Sequence, residues 1–178
     1  MVEIYQLLTG IGFACARELV HLGATVLICA RTTAAVEAAV SAINGEASTQ
    51  NQSQKSGHAI GLTCDVGSSE GRQALVDAVS KHFGARLNIL VNNVGTNMRK
   101  TIEESTQHEY DTMMRTNVES CFNICKHLSS ALRNAISNKM ETGGYSGTVV
   151  NVASAAGIRS SGTGTIYAMT KGSCDRYV

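Results

Sequence analysis

Ala24-Thr25-Val26-Leu27-Ile28-Cys29-Ala30 reads ATVLICA, with Gly23 before it and Arg31 after it. The run carries no charge and does not alternate polar with apolar residues. A strand with that pattern is covered on both faces, as in a parallel sheet with helices packed above and below. The flanking segments agree. Gly12–His21 predicts a helix closed by Gly23 in a left-handed cap, and Val2–Leu8 predicts a strand before it. Thr33–Asn44 is an alanine- and valine-rich helix, and Glu46–Gly57 (EASTQNQSQKSG) reads as a polar, mobile loop.

The same rhythm continues to the carboxyl end. His58–Asp65 predicts a third strand, Ser69–Phe83 a helix, Leu87–Val91 a fourth strand and Thr106–Met114 a short helix. From Asn117 onward, Val118, Cys121, Phe122, Cys125, Leu128 and Leu132 recur at helical spacing, which gives a long helix with one apolar face. Asn138–Gly147 reads as a loop, Thr148–Ala153 as a fifth strand, and Tyr167 lies near the start of another helix. Strand and helix alternating in this way imply parallel strands joined by right-handed crossovers. The expected architecture is a doubly wound α/β sheet in one domain spanning residues 1–178.

Composition narrows the function. The chain has 178 residues, 43% hydrophobic and 16% charged, with a net charge of +1. No basic field points to nucleic acid or an anionic membrane. The longest apolar stretch is far too short to cross a bilayer, and the amino-terminal segment lacks the basic start of a secretory signal. Six cysteines form no Cys-x-x-Cys pair and no cluster with histidine. They read as free thiols in apolar segments, with no metal site and a reducing, cytoplasmic setting.

In a doubly wound sheet, ligands bind beyond the carboxyl ends of the strands. Thr9-Gly10-Ile11-Gly12 lies between the first strand and the first helix, where backbone N–H groups and the helix dipole can hold a pyrophosphate. Arg31 follows the second strand, nineteen residues after Gly12. An acid there would bind a ribose 2′-hydroxyl; an arginine suits a 2′-phosphate and favours NADP over NAD. Asp65-Val66 ends the third strand and Asn92-Asn93-Val94-Gly95 the fourth. Tyr167 and Lys171 stand four residues apart, on one helix face, with Ser154 thirteen residues upstream at a strand end. Such a trio can move a proton to or from a carbonyl or alcohol.

Taken together and in order, these segments resemble the short-chain dehydrogenase/reductase family over essentially the whole chain. Asn92–Gly95 is similar to the family's Asn-Asn-Ala-Gly, with Val94 for alanine, and Asp65 resembles its adenine-contacting acid. Asn117 in TNVES resembles its active-site asparagine, and Ser154 in NVASAAG with YAMTK (167–171) matches its Ser and Tyr-x-x-x-Lys. NNVGTNMRK and MRTNVES look like the tropinone-reductase-like branch.

The resemblance implies a Rossmann-type fold and an NADP-dependent oxidoreductase that reduces a small carbonyl or oxidises a secondary alcohol. Tyr167 would be the general acid/base. A free tyrosine titrates near 10, so it needs the nearby charge of Lys171. Lys171 would also hold the nicotinamide ribose, Ser154 the substrate oxygen, and Asn117 a proton-relaying water. Gly10, Ile11, Gly12, Arg31, Asp65, Val66, Asn93 and Gly95 would join Tyr167 and Lys171 in holding the cofactor, with Thr96–Arg99 and Ile158–Thr165 lining the substrate space. Family members are homo-oligomers built through the long helix that begins near Asn117.

The sequence also departs from the family. The cofactor loop Thr-Gly-x-x-x-Gly-x-Gly appears only as Thr9-Gly10-Ile11-Gly12. Either Thr9-Gly10 is the opening pair and four residues are missing, or Gly10 and Gly12 are the last two glycines and Gln6 replaces the first. Family members also continue well past the position of Val178. This suggests a sheet truncated after about its fifth strand, with that strand as an exposed edge. The alternative reading is therefore a non-catalytic, truncated product, unstable or pairing with a full-length relative.

Overall fold

A computed structural model describes residues 2–5, 10–50, 57–135, 147–159, 162 and 164–175, with side chains excepted at 2–5, 48–50 and 175. Five strands and six α-helices alternate: β1 (Val2–Tyr5), α1 (Ile11–His21), β2 (Thr25–Ala30), α2 (Thr33–Gln50), β3 (His58–Thr63), α3 (Ser69–Phe83), β4 (Ile89–Asn92), α4 (Gln107–Met114), α5 (Ser120–Arg133), β5 (Thr148–Asn151) and α6 (Thr165–Asp175). All strand pairs are parallel, in the order β3-β2-β1-β4-β5. The order reverses between β1 and β4, and every strand delivers its carboxyl end to the same edge of the sheet. This is the expected Rossmann-type doubly wound fold.

The apolar run that predicted β2 is explained by its two neighbours. Leu27 and Cys29 join Leu90 under Leu75, Val79 and Phe83 of α3 and Ile124, Leu128 and Leu132 of α5. Val26 and Ile28 face the other way, onto Ala16 and Val20 of α1 and Ala39, Ile43 and Ala47 of α2. Each fully buried aliphatic side chain contributes about 1.5–3 kcal/mol, so a strand that serves both layers tolerates no polar position.

Element boundaries differ from expectation at several points. The Glu46–Gly57 loop is a correction: α2 runs on to Gln50, and residues 51–56 lie outside the described ones. Ala47 is buried against the same core as Ile43, while Glu46 stands 4.0 Å from both Arg17 and His21 of α1. One buried methyl and a charged contact to the neighbouring helix carry the helix past Gly45, despite glycine's weak helix propensity. β1 ends at Tyr5 and residues 6–9 lie outside the described ones. Strand β3 stops at Thr63 and β5 at Asn151, so Asp65 and Ser154 stand on loops just beyond the strands rather than in them. β4 is shifted to Ile89–Asn92. The loop expected over Asn138–Gly147 falls outside the described residues except for Gly147.

Short helices are held by local chemistry. Thr106 caps α4: its hydroxyl accepts from the Glu109 N–H at 3.2 Å, and the Glu109 carboxylate accepts from the Thr106 N–H at 2.9 Å. Lys100 Nζ donates to the other Glu109 oxygen at 2.6 Å. The Lys100 hydrogen bond, followed by those from Thr106, draws the Glu109 carboxyl down from 4.5 to about 2. Because the folded value is the lower one, this contribution to stability is present above about pH 4.5 and is lost as pH falls through about 2. Thr106→Ala removes the hydroxyl half of the box, keeps the bond from its backbone N–H to Glu109, and should cost about 1 kcal/mol in denaturant unfolding at neutral pH; an unchanged midpoint would show that the Glu109 carboxylate, held by Lys100 and the Thr106 N–H, is enough to hold this turn.

β5 is the outermost strand on its side of the sheet. Val149 and Val150 project to opposite faces and are 41% and 43% exposed, in contrast to the buried run of β2.

Candidate active site

At the carboxyl edge of the sheet the loops bring together residues far apart in sequence. The amino terminus of α1 starts at Gly10, which adopts φ 84° and would have no atom within 4 Å of a Cβ. Among the described residues no side chain caps this helix end, and the first N–H groups of a helix are the donors an anion can use. Ile11 is exposed and Gly12 is buried in the first turn. Strand β1 ends at Tyr5 and α1 begins at Ile11, so Gly10 and Gly12 stand at the start of the helix. Thr9 lies outside the described residues.

Arg31 follows β2 directly and is exposed. Beyond β3, Asp65 Oδ1 accepts from the Gly67 N–H at 2.9 Å, and the Asp65 carbonyl accepts from both the N–H and the hydroxyl of Ser68. These bonds hold a tight turn that leaves the Asp65 side chain at the surface. Val66 is buried beneath it, and its carbonyl accepts from Arg72 at 3.0 Å. Asn93 is buried at the end of β4.

Asn117 and Lys171 form the centre. Asn117 is 1% exposed and sits in a π-helical turn, Arg115–Glu119, that joins α4 to α5. The long helix expected from Asn117 is therefore interrupted at that residue. A π-turn widens the helix by one residue and is a frequent feature of functional sites; here the asparagine amide is committed to partners outside the helix. Its Oδ1 accepts from the Thr96 N–H at 2.8 Å, and its Nδ2 donates to the Thr96 carbonyl and the Thr170 hydroxyl at 2.9 Å each. Thr170 Oγ1 donates in turn to the Tyr167 carbonyl at 2.8 Å. Thus the loop after β4, the π-turn and α6 are tied at one side chain.

Lys171 is 4% exposed, and its ammonium donates to the Val152 carbonyl at 2.7 Å. It lies 6.0 Å from the centre of the Tyr167 ring. A Cβ on Gly95 would stand 3.3 Å from Lys171 Nζ and 3.8 Å from Asn117 Oδ1. Glycine at 95 therefore lets the β4 loop pass directly over the lysine head and the asparagine amide. Ser154, on the loop after β5, accepts from the Ala156 N–H at 3.2 Å, which opens a short 3-10 turn under α6.

Two residues with a structural claim on this centre escaped the sequence reading. Thr170 is fully buried and bonds both Asn117 and the Tyr167 backbone; its only sequence signal was its place inside YAMTK. Asn151 pairs with Asn92 across β4 and β5, Nδ2 to Oδ1 at 2.9 Å. A hydrogen bond with Cys174 and burial push the Cys121 thiol up, and burial does the same to Cys125. No disulfide joins any of the six cysteines, and no cluster of His, Cys, Asp and Glu among the described residues could hold a metal ion.

The fold is a Rossmann-type α/β sheet, and Ser154, Tyr167, Lys171 and Asn117 stand near its carboxyl edge. The family model described as short chain dehydrogenase matches residues 7–178, and the chain belongs to that family of oxidoreductases, which use NAD(P) and act on small molecules. Its sequence sides with the tropinone-reductase-like branch. It is 37% identical over 168 residues to a chloroplastic tropinone reductase homolog of Arabidopsis thaliana, covering 94% of this chain and 46% of that one. A tropinone reductase homolog of Datura stramonium is 32% identical over 94% of this chain and 56% of its own length. The chain thus spans about half the length of the curated relatives it matches.

Among solved structures, L-sorbose reductase from Gluconobacter frateurii, complexed with NADPH and L-sorbose, superposes with a TM-score of 0.83 at 24% identity, over 99% of this chain and 60% of that one. The RhlG/NADP active-site complex of Pseudomonas aeruginosa gives 0.82 at 27% identity, over 98% and 62%. Among the described residues no helix is long and apolar enough to cross a membrane.

Proposed function

We propose that this chain is the dinucleotide-binding domain, residues 1–178, of a cytoplasmic NADP-dependent reductase that acts on a small carbonyl compound or, in reverse, on a secondary alcohol. The observation that carries the reading is the buried Lys171 ammonium, hydrogen-bonded to Val152, roofed by Gly95 and placed beside Tyr167 on one helix face. A buried cation costs several kcal/mol unless it is used or paired, and here the group beside it is an ionisable phenol.

The open, uncapped start of α1 at Gly10, Ile11 and Gly12 fits a pyrophosphate, and the exposed Arg31 guanidinium fits a ribose 2′-phosphate. Asp65 and Val66 would border the adenine, and Asn93 and Gly95 the central ribose. When bound, the reduced cofactor supplies the hydride that reaches the carbonyl carbon. The chain's own residues handle the oxygen. Ser154 Oγ would hold it, and Tyr167 Oη would deliver the proton, so that the C=O becomes an alcohol with one hydride and one proton gained. The Lys171 charge stabilises the negative charge left on the phenol oxygen. Asn117 keeps the π-turn, Thr96 and Thr170 in place, and so fixes α6 and its Tyr–Lys face.

Cofactor choice tests the assignment. Arg31→Asp should move kcat/KM from NADPH toward NADH by more than tenfold, since it removes a phosphate partner and supplies a 2′-hydroxyl acceptor. Equal use of both cofactors before and after the change would remove Arg31 as the selector.

A second reading draws on β5, whose Val149 and Val150 are exposed on both faces. In it the chain is non-catalytic and pairs with a longer relative. Co-expression settles it: a stable mixed dimer with no NADPH oxidation attributable to Tyr167 would favour this reading.

A further inference from the structure

Beside the Tyr–Lys face of α6 lies an open cavity of about 560 Å3, bordered by Ala156, two residues past Ser154, and by Ala168, the residue after Tyr167. Its lining also holds three cations, Arg99 and Lys100 from the loop after β4 and Arg159 from the loop after β5, and one carboxylate, Glu104. The two loops meet where the backbone at Gly164 packs against the carbonyls of Met98 and Lys100.

These charges are not equivalent. Lys100 is spent on Glu109 at 2.6 Å, within the α4 cap. Glu104 accepts from the N–H and the hydroxyl of Thr101 at 3.2 Å each, which turns its carboxylate onto its own loop. Among the described residues, neither Arg99 nor Arg159 belongs to an ion pair. With Lys100 matched by Glu109, two guanidinium groups remain against the single Glu104 carboxylate, and the cavity lining keeps an excess of positive charge. Guanidinium is the side chain best shaped for bidentate pairing with a carboxylate, and like charges lining a cleft concentrate anions within it.

We propose that the substrate of this site is an anionic carbonyl compound, a small oxo-acid whose carboxylate is held by Arg99 and Arg159 while its carbonyl reaches Ser154 and Tyr167. The inference rests on the Ser154–Tyr167 reading for the position of the carbonyl, and on the cavity alone for the charge.

Binding to the NADPH-loaded full chain separates the two. Levulinate, its primary amide and an amino-ketone of similar length are titrated by calorimetry, then compared as substrates. Levulinate should bind at least tenfold more tightly than the amide, and the amino-ketone most weakly. The acid-to-amide ratio should fall to less than threefold in Arg99→Gln and in Arg159→Gln, and recover in part in Arg159→Lys. Raised salt should weaken the acid alone. Because the ratio is internal to each variant, a partial loss of folded protein does not imitate the effect. An amide bound as tightly as the acid, a preferred amino-ketone, or a ratio insensitive to both arginines would overturn the proposal. Selective binding of the acid without turnover would uphold the charge selection and count against the catalytic reading.

Discussion

Tyr167→Phe in the full chain should lower kcat by about 10²–10⁴-fold, the usual worth of a positioned general acid, and leave NADPH binding within a few-fold. The substitution removes one oxygen and keeps the ring. Tyr167 is half-buried on α6, and its backbone carbonyl, not its side chain, is what Thr170 holds. The helix and the Asn117 tie should therefore survive. Single-turnover oxidation of bound NADPH by excess ketone gives the measurement, with the cofactor Kd from fluorescence as control. More than a tenth of the wild-type rate would show that another group delivers the proton.

Lys171→Met should damage both functions. The lysine is buried, its ammonium donates to Val152, and it underlies the β4 loop at Gly95. Methionine of similar length preserves the packing but leaves the Val152 carbonyl without its donor, and a hydrogen bond to a charged group contributes about 1.5–3 kcal/mol. Turnover should fall at least as far as in Tyr167→Phe. NADPH affinity should fall about tenfold, equivalent to about 1.4 kcal/mol. Lys171→Arg should not rescue: the space over Nζ is set by Gly95, and a planar guanidinium needs more of it. A Lys171→Met protein with unchanged NADPH affinity would confine the residue to the proton step, and full activity in Lys171→Arg would mean that only the charge matters there.

The contrast between these two residues shows what each level of description contributes. Spacing put Tyr167 and Lys171 on one face of α6, because four residues make one helical turn. It gave no indication that the lysine is buried, since burial is set by the β4 loop, the loop after β5 and α6 converging on it. Gly95 looked like a turn residue from its Asn-Asn-x-Gly setting; its close approach to Lys171 depends on a helix seventy-six positions away in the chain.

Local sequence determined the alternation of strands and helices, the parallel sheet, and the placement of Arg31 and Asn93 directly after their strands. Each of these follows from periodicity or from an uninterrupted apolar run, which depend on neighbours within a turn or a strand. Tertiary structure decided the rest. It extended α2 through Glu46 because α1 offered partners there, and it opened a π-turn at Asn117 because the amide is bonded by Thr96 and Thr170. It also brought Arg99 and Arg159, sixty positions apart, into the lining of one cavity. Contacts between segments sixty residues apart leave no periodic trace in either segment, and only the folded chain brings them into register.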